Sequence, residues 1–107
     1  MSGTFEKIIE LVQRGEIVVS AHGRENLRER GLTVATLVRT LSRGEVVEDY
    51  PEYYAGPSVL VLQRGSDDVQ IHALWGIEKG TSGPAVLITA YRPDPVRWSA
   101  DFRRRAP

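Results

Sequence analysis

Cysteine is absent from this 107-residue chain. That excludes disulfide frameworks, thiolate metal sites and cysteine nucleophiles, and it fits a reducing compartment, so the cytoplasm is the expected location. Histidine occurs only twice, at His22 and His72. Two distant imidazoles without a carboxylate cluster are too few for a metal centre, and no metal or cofactor is expected. No apolar run approaches the roughly 18 residues of a spanning helix. Glu6, Lys7 and Glu10 interrupt the amino-terminal apolar pattern, so neither a secretory signal nor a membrane segment is expected. The phosphate loop, the dinucleotide glycine fingerprint, the serine elbow and the helical metal pair are all missing.

Net charge is lacking as well, with 14 basic and 14 acidic residues. The molecule as a whole has no field that would draw it onto nucleic acid. The distribution is uneven. Arg24, Arg28, Arg30, Arg39 and Arg43 outnumber Glu25 and Glu29, whereas Glu45, Glu48, Asp49 and Glu52 follow with no base among them. Near the end, Arg92, Arg97, Arg103, Arg104 and Arg105 outnumber Asp94 and Asp101. Lysine is confined to Lys7 and Lys79, and guanidinium forks suit phosphate or carboxylate better than ammonium does.

What is present is the composition of a packed single domain spanning 1–107, with 41% hydrophobic residues and two tryptophans. Phe5, Ile8, Ile9 and Val12 recur at helical spacing, with Ser2 or Thr4 as cap and Gly15 as stop, so a helix is predicted over 4–14. "EIVVS" reads as a short extended link. Ser20 caps a second helix that Gly31 ends, with Ala21 and Leu27 its inward residues and the rest exposed. Thr33 caps a third, with Val34, Leu37, Val38 and Leu41 on one stripe.

After Gly44 the apolar period falls to 2, predicting strands over 45–50, 58–64, 69–77 and 85–92. "GSDD" and "GTSGP" read as hairpin connections and "PEYYAGP" as a longer loop. Connections this short cannot hold crossover helices. The expected fold is therefore α+β, with amino-terminal helices packed on a four-stranded antiparallel meander. In "VQIHALWGI", Ile71, Ala73, Trp75 and Ile77 share one face, and His72 falls on the more polar one. Trp98 and Phe102, at i and i+4, predict a helical turn anchoring the terminus.

Metal-free cleavage of RNA needs a base for the 2′-hydroxyl proton, an acid for the leaving oxygen, and donors for the phosphorane charge. The candidates are His22, Glu25, Arg30, His72 and Tyr91. Their plainer alternatives are a solvated helix start at His22, an ion-paired helix face for Arg24, Glu25, Arg28 and Glu29, and a half-buried sheet histidine at His72. Trp75 and Trp98 read as core residues rather than stacking platforms.

The segments "SAHGRENLRERGLTVATLVRTLSRGEVVEDYP", "PSVLVLQ", "IHALWGI" and "VLITAYRPDPVRW" together resemble the bacterial domain-of-unknown-function family 4258, over roughly residues 17–98. Members of that family look like relatives of the RelE/ParE and BrnT toxins, many of them endoribonucleases encoded beside an antitoxin. The resemblance implies a RelE-like fold with His22, Arg30, His72, Thr89 and Tyr91 lining the site. His22, His72 and Tyr91 are then the expected catalytic groups, and Arg24, Arg28, Arg30, Thr89 and Arg92 the expected RNA or phosphate ligands. Asn26 stands where the resemblance implies a basic residue in many members, so that phosphate contact is either missing or supplied by Arg24 or Arg28. The implied partners are RNA and a protein antitoxin. The alternative is a non-catalytic interaction module whose acidic "EVVEDYPEYY" stretch binds an antitoxin or a second copy of the chain, the edge of its first strand accepting a partner strand.

Overall fold

The computed structural model describes residues 2–65 and 68–106. Helix α1 (Gly3–Gln13) starts where the Ser2 hydroxyl accepts from the Phe5 amide at 3.1 Å. Its apolar stripe buries Ile8, Leu11 and Val12. Strand β1 (Ile17–Val19) follows, then α2 (Ala21–Arg30), α3 (Val34–Thr40) and a 3-10 turn over Leu41–Arg43. Thr33 caps α3 through its hydroxyl, which accepts from the Thr36 amide. Gly31 ends α2 in the left-handed conformation, φ 67°, where a Cβ would be strained. Strands β2 (Glu45–Tyr50), β3 (Ser58–Arg64), β4 (Gln70–Ile77) and β5 (Ala85–Tyr91) complete the chain's regular structure.

The four later strands form the expected antiparallel meander, but the sheet has a fifth strand and is mixed. Its order is β1-β5-β4-β3-β2, with β1 parallel to β5. "EIVVS" is thus not a bare link. Its three β-branched or apolar residues pair with Ala85–Leu87 because the chain returning from α1 meets the edge that β5 leaves open. Of the two hairpin connections, that over 65–68 includes Ser66 and Asp67, which lie outside the described residues.

One face of the sheet, carrying Val59, Val61, Ile71, Ala73, Trp75, Ile77, Ala85, Leu87 and Ala90, packs against Ile8, Leu11 and Val12 of α1, Leu27 of α2 and Leu37 of α3. Gln63 is the polar member of this interior, 2% exposed. Its Nε2 donates to the Leu37 carbonyl at 2.7 Å and the Thr40 hydroxyl at 2.9 Å, while its Oε1 accepts from Trp75 Nε1 at 2.9 Å. It therefore satisfies an orphan carbonyl in the last turn of α3 and the indole N–H together.

The opposite face is covered at one end by the carboxy-terminal segment. No helical turn spans residues 98–102; a turn lies earlier, where the Arg97 and Trp98 amides both donate to the Asp94 carbonyl at 3.0 and 3.1 Å. Instead Trp98 and Arg105 make an isolated antiparallel bridge, and Phe102 turns the chain at φ 60°. Arg103 grips Glu45 in a two-pronged pair at 2.6 and 2.8 Å, and Arg105 grips Glu48 at 2.7 and 2.9 Å. No described helix is long and apolar enough to cross a membrane.

Candidate functional site

Helix α2 lies along β5, and Ser20 fixes the contact twice. Its hydroxyl accepts from the Gly23 amide at 2.9 Å and donates to the Ile88 carbonyl at 3.2 Å. The register of β4 against β5 shifts between Leu74 and Trp75, so Ile88 has no partner on β4; this irregularity helps free its carbonyl for Ser20. Gly23 is buried, and a Cβ there would lie 2.9 Å from the Ile88 and Leu87 carbonyls. Ala21, an expected inward residue, is exposed instead. Farther along, Asn26 Nδ2 donates to the Thr89 hydroxyl at 3.1 Å. Arg92 donates to the Arg30 carbonyl at 2.6 Å, closing the carboxy-terminal end of α2.

Cross-strand pairing sets His72 opposite Tyr91. His72 has no exposed surface, because Trp98 stands edge-on against its ring at 4.4 Å and Tyr91 flanks it at 5.4 Å. The "more polar" face of β4 is thus sealed at this point by the carboxy-terminal segment. Nε2 lies 2.8 Å from the Phe102 carbonyl, which only accepts, so Nε2 carries the proton. In the neutral ring Nδ1 is then the acceptor, and the Tyr91 hydroxyl donates to it at 3.3 Å. Burial pushes the His72 pKa below its ordinary value, against the raising influence of the Phe102 carbonyl and Glu48. Burial raises that of Tyr91. Both groups are neutral near pH 7.

Tyr91 is half-buried and opens onto a cleft of about 340 Å³ lined by Arg30, Tyr91, Arg92, Asp94, Arg97, Trp98 and Arg105. Arg105 is neutralised by Glu48, and its guanidinium carbon lies 4.9 Å over the Trp98 ring. Arg97 reaches Asp94 only at 4.0 Å. Arg30 and Arg92 have no carboxylate partner among the described residues. The cleft is thus cationic, with a phenol at its wall.

The expected residues divide accordingly. Tyr91, Arg30 and Arg92 converge on the cleft, and His72 stands behind Tyr91 with no path to a substrate. Thr89 lies on the same sheet face, held by Asn26. His22 is exposed in the first turn of α2, eight residues from Arg30 and so about 12 Å away along the helix axis. Arg24 and Arg28 are exposed on α2. The ion-paired face expected for them and for Glu25 and Glu29 does not form among the described residues, which leaves their guanidinium groups free. Sequence reasoning missed Arg97 and Arg105 as cleft residues, because only the folded-back tail brings them beside Tyr91. No three of His, Cys, Asp or Glu among the described residues cluster so as to hold a metal ion.

The fold and cleft define a small α+β domain with helices on one face of a mixed sheet and an arginine-lined hollow at the sheet's far corner. The chain belongs to the family described as "Domain of unknown function (DUF4258)", whose model matches residues 19–92. The match runs from the end of β1 through β5 and stops before the carboxy-terminal segment. No curated protein and no solved structure matches the chain.

Proposed function

We propose that this is a toxin-like, cytoplasmic RNA-binding domain of the RelE/ParE/BrnT kind, which holds a phosphodiester in the arginine-lined cleft and cleaves it without metal. The observation that carries this reading is the pair of uncompensated guanidinium groups, Arg30 and Arg92, beside the half-buried Tyr91 hydroxyl. Arginine forks match phosphate oxygens, and free charge is what a polyanion replaces its counterions with. The helices packed on one face of a sheet whose four later strands form an antiparallel meander favour the RelE-like fold that the resemblance implies, with the parallel β1 an addition to it.

The proton route follows from the hydrogen bonds. The 2′-hydroxyl proton passes to the Tyr91 oxygen as the phenol's own proton passes to His72 Nδ1. The 2′-oxygen attacks phosphorus, and the 5′-oxygen leaves with a proton from water in the open cleft. The resulting imidazolium is stabilised by the Phe102 carbonyl and the nearby Glu48 carboxylate. Because a phenol raised in pKa is a poor base by itself, the neutral imidazole behind it is what makes the transfer feasible. His22 takes no part in this step and serves, with Arg24 and Arg28, as a contact along the strand. The test is incubation of RNA in EDTA with wild type, Tyr91→Phe and Arg30→Ala/Arg92→Ala. Loss of cleavage in the first with binding intact, and loss of binding in the second, is expected. Equal cleavage by wild type and Tyr91→Phe would overturn the reaction, and binding unaffected by the double change would overturn the cleft.

A second reading, a protein-interaction module, is favoured by the free edge of β2. Val46 is 37% exposed there, and an apolar groove formed with Phe5 and Ile9 is rimmed by Glu6, Glu45 and Asp49. An extended antitoxin segment alternating apolar and basic residues fits such an edge. Amide-exchange protection of β2 on adding that segment, with no salt-dependent RNA binding, would decide for this reading; a salt-insensitive dimer would assign the edge to a second copy.

A further inference from the structure

The face of the sheet that carries Tyr91 has a second hollow at its other end, of about 280 Å³, and the geometry points to it as a subsite for one nucleobase of the same RNA strand. The identity of the ligand rests on the RNA reading above; the hollow itself does not. Its floor is Gly76, Ser58 and Val86, a cross-strand row, with Ile88 at one side and Tyr53 on the rim. The floor is open because Gly76 has no side chain: a Cβ there would come within 3.0 Å of Ile88 Cδ1 and 3.3 Å of the Pro57 carbonyl.

Two features fit a base rather than an aliphatic ligand. Tyr53 is 49% exposed and tilted against Tyr54 with ring centroids 4.7 Å apart, so a tyrosine ring already stands at the rim for stacking. Ser58 is only 5% exposed, yet its hydroxyl has no hydrogen-bond partner among the described residues. The hydroxyl itself is not sealed from solvent, since among the described residues Gln70 Oε1 is the buried side-chain polar atom without a partner; it lines an apolar cavity with its donor and acceptor open to a ligand. A planar, mostly apolar ring with polar edge atoms supplies both the stacking and the missing hydrogen bond. Ligand pockets of this kind are apolar with a few placed polar groups.

Position links the two hollows. Gly76 is four residues from His72 on β4, about 13 Å along the strand, and both alternate to the face opposite the core. Thr89 and Leu74 lie between them as a cross-strand pair. A strand anchored by a phosphate at Arg30 and Arg92 would run over Thr89 and reach the Tyr53 hollow within a few nucleotides.

The test separates the hollow from the cleft. Uncharged adenosine, guanosine, cytidine and uridine are titrated into isotope-labelled protein, and short single-stranded RNA is titrated into wild type, Tyr53→Ala and Ser58→Ala with the salt dependence recorded. Saturable shifts at Ser58, Gly76 and Val86 with at least one nucleoside are expected, abolished by Tyr53→Ala. RNA affinity should fall about 10-fold in Tyr53→Ala, with an unchanged salt slope. Nucleoside binding without RNA binding would keep the hollow and remove the cleft. No saturable nucleoside shift, or RNA affinity identical in wild type and both variants, would overturn the subsite while leaving the cleft standing. Tyr53 is exposed and Ser58→Ala removes one atom, so both variants retain the fold.

Discussion

The Tyr91 hydroxyl lies 3.3 Å from Nδ1 of His72 across β4 and β5, while Nε2 of the same ring is committed to the Phe102 carbonyl. The imidazole is therefore a buried neutral base with one vacant role, that of accepting from the phenol. Its pKa is held below the ordinary 6.5 by burial, so the unfolded chain takes up this proton before the folded one as pH falls. The stability it contributes is complete above about pH 6.5, declines below that toward the depressed folded value, and is level beneath it. Urea unfolding at pH 7.5 and 5.5 should show a lower midpoint at 5.5. His72→Gln should flatten that difference, and a difference of the same size in the variant would show that the histidine is not its source.

Under the proposed reaction, cleavage should follow the same group. Tyr91→Phe keeps the ring against His72 and removes the proton carrier, so the rate should fall by about 100-fold or more, the scale of general base catalysis, with RNA affinity within about 2-fold. The acidic limb of the rate profile of wild type should lie below pH 6.5, because the neutral imidazole persists there. A limb centred above 6.5 would place the base elsewhere.

The carboxy-terminal segment is the cover that keeps His72 dry. Trp98 is 5% exposed and contributes the ring that seals the imidazole. Trp98→Ala should destabilise the protein by about 3 kcal/mol, at the low end for a buried aromatic because the segment is peripheral. It should also let the His72 pKa rise toward its ordinary value, seen by NMR titration of the ring. An unshifted titration in a folded Trp98→Ala protein would mean that the strands alone exclude water.

The helices, their caps at Ser2, Ser20 and Thr33 and the four meander strands were legible in the sequence because each rests on local chemistry: periodicity, a capping hydroxyl, a terminating glycine. Three residues at Ile17–Val19 were not, since so short a strand has no period of its own and is defined only by the open edge of β5. The site was half legible. Family pattern and helix position point to Tyr91, Arg30 and Arg92, and these three line one cleft. The burial of His72 was hidden because alternation along β4 shows which face a residue takes, not what a segment 30 residues later lays over that face. Arg97 and Arg105 are legible only as charge, without a location, for the same reason.

Gly23 was equally silent in sequence, where a glycine inside a helix reads as a weakness. Here it is the point of closest approach between α2 and β5, with two backbone carbonyls 2.9 Å from any added Cβ. Backbone cannot swing aside as a flexible side chain can. Gly23→Ala should gain helix propensity yet lose about 1–3 kcal/mol through overpacking, read as a lower denaturation midpoint. A stabilised variant would show that α2 shifts freely on the sheet, and the Ser20 and Asn26 contacts would then not be what positions Arg30 beside Arg92.

Gln63 gives the sharpest test of the interior on the other side of the sheet. Its hydrogen bonds reach the Leu37 carbonyl at the end of α3, the Thr40 hydroxyl, which also donates to the Thr36 carbonyl at 2.9 Å, and the Trp75 indole N–H. Replacing it with leucine keeps the volume but strands the carbonyl and the N–H in a dry core, each at a cost of about 1–3 kcal/mol. Gln63→Leu should therefore lose roughly 3 kcal/mol in chemical denaturation. Gln63→Leu combined with Trp75→Phe, which removes the stranded donor, should recover part of that loss. No recovery would mean that Gln63 acts through α3 alone and that the indole N–H finds another acceptor.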